Sequence, residues 1–457
     1  MRNDFLLILS FIVVVMVYMA SSSSASVMLS VATLLLGWFM IVLFGKSGKE
    51  RIEMTTAMLM SFVVFTIAAI LQYFDYVADY GNFAKEGNDN YFFYITSMEG
   101  EGASSIGKLF NKTVIQNIHY ENGGYFFYIK TLAYLAWLHA DGNNILLQQL
   151  GTVLPSILSS VVLYAILSKY CPANKTFGYT CSFMVLSPLI LHSVGIHRDA
   201  MVALLYFILI YLWLCKDFSL KVGVLQVLFA YVLYFFREQH GLFALSFVVV
   251  SSISTRKQPR LVYVIAVMVL IAIIGVTKLS NMLSTSLMET NEFYEDLRSD
   301  HLSGLSIGIG RYIYMLPSPI KEIAQISFLQ LRFPPWLTLS EANNFPAVIL
   351  GLLSFAVAFY WFFVFSVTLV SLVMKGYRCL PTKLILGLLL LFAFLFLNSA
   401  NLDSRRVVCM YPLMFIPFVY YKEYILQEYT IAAFKRNYVL IYMSICFLYL
   451  AVKVSVG

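Results

Sequence analysis

The sequence predicts an all-α polytopic integral membrane protein, one transmembrane domain over residues 1–457 with about 13 transmembrane helices and two long loops on its outer face. Three observations predict it. Hydrophobic residues make up 60% of the chain and charged residues only 12%, against roughly 25% charged in a soluble domain. So few charges cannot cover a water-facing surface. Apolar runs of bilayer-crossing length recur along the whole chain. The basic residues between those runs sort to one side of the implied membrane.

A bilayer core takes about 20 apolar residues per helix. Such runs lie near 5–20, 26–45, 54–74, 144–167, 178–196, 200–215, 222–236, 242–254, 261–278, 346–374, 384–400, 407–421 and 438–455. The first, followed by SSSSAS, also resembles a signal peptide, but in a polytopic chain it reads as an uncleaved helix. The segment 124–140, GYFFYIKTLAYLAWLHA, is interrupted by Lys130 and reads as a helix lying in the interface.

Charge sets the orientation. With the N-terminus inside, the cytoplasmic connectors hold 17 basic residues, among them Lys46, Lys169, Lys175, Lys375, Lys383 and Lys422. Only six acids join them: Asp4, Glu50, Glu53, Asp217, Glu423 and Glu428. The outer side keeps 14 basic and 18 acidic residues. A crossing at 124–140 would invert every later loop and erase this asymmetry.

The outer face carries long loops at about 75–143 and 279–345. It also receives three tight polar turns: His197-Arg198-Asp199, Arg237-Glu238-Gln239-His240, and Asn401 to Arg406. All six histidines fall on or near it. The net charge of +7 comes from residues scattered singly, which form no stripe for nucleic acid. No Walker A sequence occurs, which removes ATP-driven chemistry. The six cysteines lie outside both long loops with no CxxC spacing, so neither a disulfide framework nor a zinc site is expected.

Arg198, Arg237, Arg405 and Arg406 stand where helices emerge on the outer face. Converging at one depth, they would form an anion site, because guanidinium pairs bidentately with phosphate oxygens. The competing reading is interfacial snorkelling, with each arginine answered by the acid in its own turn: Asp199, Glu238 or Asp403. Arg311, in GIGRYIYMLPSP, is a further phosphate candidate. In the first loop, Asp89 and Glu121 are carboxylates placed to act as general base. Its aromatics Tyr91, Phe92, Tyr125 and Phe126 read as an interfacial belt. Pro412 and Pro417 kink the span that follows Arg406.

HRDA at 197–200, FFREQHG at 235–241, and the Arg405-Arg406 pair with its spaced prolines resemble bacterial polysaccharide polymerases of the Wzy/EpsG type. The first loop, with NDNYFFY and ENGGYFFYIKTLAYL, looks like that of the wider GT-C-like membrane glycosyltransferases. The spelling departs in one place, since His197 precedes Arg198. The resemblance implies a GT-C-like fold in the bacterial inner membrane, acting at the periplasmic face. It implies polymerisation of O-antigen or capsule repeat units carried on undecaprenyl diphosphate. In that scheme Arg198, Arg237, Arg405 and Arg406 hold the diphosphate, and Asp89 matches the first-loop acid. The proton acceptor is one of Asp89, Glu121, His197 and His240. No cofactor is expected; a divalent cation would assist through Asp89, although no ligand set is visible. The expected partners are the polyprenyl-diphosphate-linked glycan, membrane lipid and a chain-length regulator. Two alternatives stand beside this reading: a GT-C transferase using a polyprenyl-phosphate sugar donor, and a flippase for lipid-linked glycans. Spans nearly free of charge at mid-depth favour an enzyme working from one face.

Overall fold

The computed structural model describes residues 2–80, 89–116, 123–253, 316–317, 320–331, 342–397 and 404–456, and they form helices and connecting turns without a strand. Among the described residues, five helices are long and apolar enough to cross a membrane. They include α1 (Arg2–Ser21), α2 (Ser24–Phe44) and α3 (Gly48–Tyr80). Much of α1 and α2 faces outward with bare apolar side chains such as Phe11, Met19 and Trp38. Water does not tolerate a continuous apolar face of that extent, and lipid does.

Four shorter pieces follow. They are α4 (Asp89–Met98), α5 (Ile106–Phe110) continuing into a π turn at Asn111–Ile115, and α6 (Gly123–Leu138). Lys130, which interrupts the apolar pattern of α6, is buried, and its ammonium lies 2.9 Å from Glu99 just beyond α4. α6 packs on its neighbour α7 (Ile145–Tyr170), with Tyr128 donating to Gly151 O at 2.7 Å and Gln148 Nε2 donating to Ile129 O at 3.2 Å.

The fourth of the five long apolar helices, α7, is the hub. It starts at Asn144, whose side chain accepts a hydrogen bond from Leu147 N–H, and its most apolar stretch is wholly enclosed. Gly151, Ser156, Ser159 and Ser160 give it a slim surface that lets neighbours approach. The expected span 178–196 is broken into α8 (Thr176–Leu186) and α9 (Leu189–Ser193). Pro188 has no N–H to continue the helical ladder, and Ser187 before it is extended.

Three 16- and 17-residue helices come next: α10 (Asp199–Cys215), α11 (Leu220–Phe236) and α12 (Glu238–Ile253). α11 and α12 form a hairpin joined inside by Gln226 Nε2 donating to Ser251 Oγ at 2.8 Å. The expected span 261–278 lies outside the described residues. So does most of the second long loop, apart from α13 (Ile320–Leu331). α14 (Phe345–Lys375) is the last of the five long helices, and α15 (Thr382–Leu397) follows it. The expected span 407–421 opens with two 3₁₀ turns, Ser404–Arg406 and Val408–Met410, before α16 (Pro412–Tyr420). A π turn, Tyr421–Ile425, then leads to α17 (Glu428–Val456). Trp361 of α14 stacks on Tyr411 at 4.3 Å, with Phe183 of α8 edge-on against it.

The bundle has two distinct ends. One gathers Asp75 near the end of α3, Asn344 capping α14, and the starts of α7, α10 and α12; Asn344 Nδ2 donates to Asp75 Oδ1 at 2.9 Å. At the other, Lys169 and Lys383 donate to the last carbonyls of α10, Leu214 O at 2.8 Å and Trp213 O at 2.9 Å. The first is the arginine end and the second the lysine end.

Candidate functional site

Each arginine of the arginine end owes its place to a helix terminus. Arg198 is the N-cap of α10 and Asp199 its first residue. Arg237 is the C-cap of α11 with extended backbone, its N–H tied to Leu233 O at 2.7 Å. Arg405 and Arg406 occupy the 3₁₀ turn ahead of α16, whose start at Pro412 suits a residue lacking an N–H.

The structure brings these termini together. The Arg405 guanidinium lies 2.7 Å from Asp89 Oδ2 and 3.4 Å from His197 Nδ1, so one side chain joins three segments far apart in sequence. Arg237 reaches across to Asp199 at 3.2 Å, and both side chains are buried. The competing reading pairs each arginine with the acid of its own turn; two of the pairs run between segments instead, while Asp403 lies outside the described residues. Arg237 pairs with the acid of the α10 turn and Arg405 with the first loop. Packing sets which helix ends adjoin, and it places these pairs between turns.

The charges of Arg237, Arg198 and Arg406 all bear on His240, and those of Arg405, His197 and Arg198 on Asp89. Arg198 is common to both groups. His240 is buried, with the edges of Tyr206 and Phe394 against its ring at 5.7 and 5.3 Å between centroids. Its Nδ1 is 3.9 Å from Cys409 Sγ, and its carbonyl accepts a hydrogen bond from Tyr206 at 3.0 Å. Asp89 is the opposite case, with its carboxylate more than half exposed. Partial burial alone raises its pKa. The hydrogen bond and charge of Arg405, with the charges of His197 and Arg198, outweigh that and hold the carboxyl below the usual aspartate value. Asp89 is an ionised acceptor at neutral pH.

Residues without an obvious chemical role complete the arrangement. Asn90 Oδ1 accepts from Ile196 N–H at 2.6 Å, which fastens α4 to the turn carrying His197. Gly195 permits that approach: a Cβ there would stand 2.9 Å from Asn90 Oδ1 and from the His197 ring. Neither residue carries a catalytic motif, and only their closeness to NDN and HRD in the sequence marks them. Cys409 likewise had no motif. Tyr125 is buried in a small core with Phe93, Tyr94 and Ile196 and does not form part of an interfacial belt, whereas Phe92 is exposed. Glu121, Arg311 and Asp403 lie outside the described residues. Among the described residues, no group of three or more histidine, cysteine or acidic side chains is arranged to hold a metal ion.

Arg198, Arg237, Arg405 and Arg406 thus cluster at one end of the bundle. Such a cluster can bind a multivalent anion by several charge-assisted hydrogen bonds. It can also stabilise negative charge that develops on a leaving group. No family model, no curated protein and no solved structure matches this chain.

Proposed function

We propose that the protein polymerises polyprenyl-diphosphate-linked oligosaccharide repeat units by glycosyl transfer at the arginine end. The observation that carries this reading is the convergence of Arg198, Arg237, Arg405 and Arg406, from three separate helix termini, around Asp89, His197 and His240. A diphosphate docks on the guanidiniums. A hydroxyl of a second lipid-linked unit attacks the anomeric carbon, the bond to the diphosphate oxygen breaks, and the arginines take up the charge left on that oxygen. The hydroxyl proton passes to an acceptor on the same face. Exposed, ionised Asp89 is the best placed of the described candidates. The diphosphate ester is already activated, so no nucleotide is consumed. In this reading the arginine end faces the periplasm of a bacterial inner membrane and the lysine end the cytoplasm, as the positive-inside bias requires.

The test is the surface polysaccharide of the host cell, resolved by size on a gel. Arg405→Ala and Arg198→Ala are expected to abolish the ladder and leave a single repeat unit. A shortened core or unit instead identifies the single-sugar transferase. An unchanged ladder in Arg198→Ala, Arg237→Ala and Arg405→Ala, with normal protein levels, overturns the enzymatic reading.

A further inference from the structure

The lysine end holds a cavity of about 260 Å³ between α14, α16 with its π turn, and α17. Its apolar wall includes Phe363, Val367, Phe418 and Phe434, and Lys375 and Lys422 line it from the ends of their helices. The lining is therefore amphipathic, largely hydrocarbon with two lysines among it.

Among the described residues, neither cavity lysine is in a direct ion pair, although the charge of Glu423 bears on Lys422. Lys422 holds its ammonium over aromatic faces, 4.8 Å from the Tyr179 ring centroid and 5.7 Å from that of Phe418. The adjacent acid, Glu423, is turned elsewhere: it pairs with Lys175 and accepts the Tyr179 hydroxyl. Among the described residues, no carboxylate lies within ion-pair distance of Lys422 or Lys375. Beside the cavity on α14, Val373 and Met374 are exposed and extend the apolar surface outward.

We propose that this cavity is a binding site for an anionic phospholipid of the adjacent leaflet. One acyl chain lies against Phe363, Val367, Phe418 and Phe434, and the second runs along Val373 and Met374. The phosphate sits between Lys375 and Lys422. The two lysines select the head group by charge, and the two apolar surfaces, one enclosed and one open, match a lipid with two chains. The site is remote from the arginines and is independent of the reaction proposed for them.

The experiment is native mass spectrometry of the full chain in detergent with equimolar phosphatidylglycerol and phosphatidylcholine. The wild type is expected to retain phosphatidylglycerol at least fivefold over phosphatidylcholine. Lys375→Gln/Lys422→Gln is expected to bring that ratio to one. Lys46→Gln/Lys49→Gln, which removes equal charge from an exposed turn at the same end, is expected to leave it unchanged. Val367→Trp keeps both charges, fills the cavity and is expected to weaken retention by itself, which separates this site from general surface attraction. Equal retention of the two lipids by the wild type overturns the proposal. So does a preference that survives both Lys375→Gln/Lys422→Gln and Val367→Trp, and so does stoichiometric displacement of phosphatidylglycerol by undecaprenyl phosphate.

Discussion

The two ends of the bundle carry cations of the same sign and put them to different uses. At the lysine end, Lys169 and Lys383 close the exposed carbonyls of α10, where a positive charge also meets the negative end of the helix dipole. At the arginine end, the cations bridge segments that are remote in sequence: Arg405 to Asp89 and His197, Arg237 to Asp199. A point charge on a flexible stem suits the first task. A planar fork with several donors suits the second. Counting charges along the chain does not tell a cation that caps a helix from one that bridges remote segments, and the distances do.

The largest expected effect comes from the buried pair. Asp199→Ala leaves the Arg237 guanidinium enclosed without its counter-charge and is expected to cost about 3–5 kcal/mol of stability. Asp199→Ala/Arg237→Met is expected to restore more than half of that. Denaturant unfolding of the two variants checks it, and equal losses would mean that the pair is not a coupled unit. Next is Gly195→Ala, whose new methyl would press on Asn90 and the His197 ring at 2.9 Å, with an expected cost of about 1–3 kcal/mol. In an Asn90→Ala background the cost should shrink, because one of the two obstacles is gone; a double-mutant cycle reads this directly.

At the other end, Lys383→Met removes a single cap from α10 and is expected to cost about 1 kcal/mol, seen as faster amide exchange confined to the last turn of that helix. The smallest effect is the acid titration of Asp89. Its folded pKa lies below the ordinary 3.8. The Arg405 link therefore contributes stability above that ordinary value and is lost as pH falls through the lowered one. Below about pH 4 the wild type should lose thermal stability more steeply than Asp89→Asn, while the two curves run parallel near neutrality.

The sequence made the membrane class legible because composition and run length decide it, and the arginine turns stood out against an otherwise apolar background. Other features depend on information that a linear pattern does not hold. Whether Arg237 meets Glu238 or Asp199 depends on the angle at which α10 and α11 adjoin. Lys130 looked like an interruption in α6 and is the partner of Glu99, a residue 31 positions earlier. The break at Ser187-Pro188 was visible as a proline, but a hydropathy window scores the side chain and ignores the missing N–H. Gly195 and Asn90 are ordinary letters whose importance lies in one close approach. The ion pair of Asp89 with Arg405 joins residues 316 positions apart, which no local pattern reveals.

The outward wall formed by α11 has a consequence for the membrane around it. Leu220, Val224 and Tyr231 are exposed along this helix, which at 17 residues spans about 25 Å. α14, with 31 residues, is about 46 Å long. A hydrocarbon layer near 30 Å meets one wall too short for it and another long enough to tilt. A layer that thinned to match the short wall would do so beside Arg237 at the end of α11. Hydrophobic mismatch would then bring the head groups on that flank closer to the Arg237 guanidinium than a layer of full thickness does.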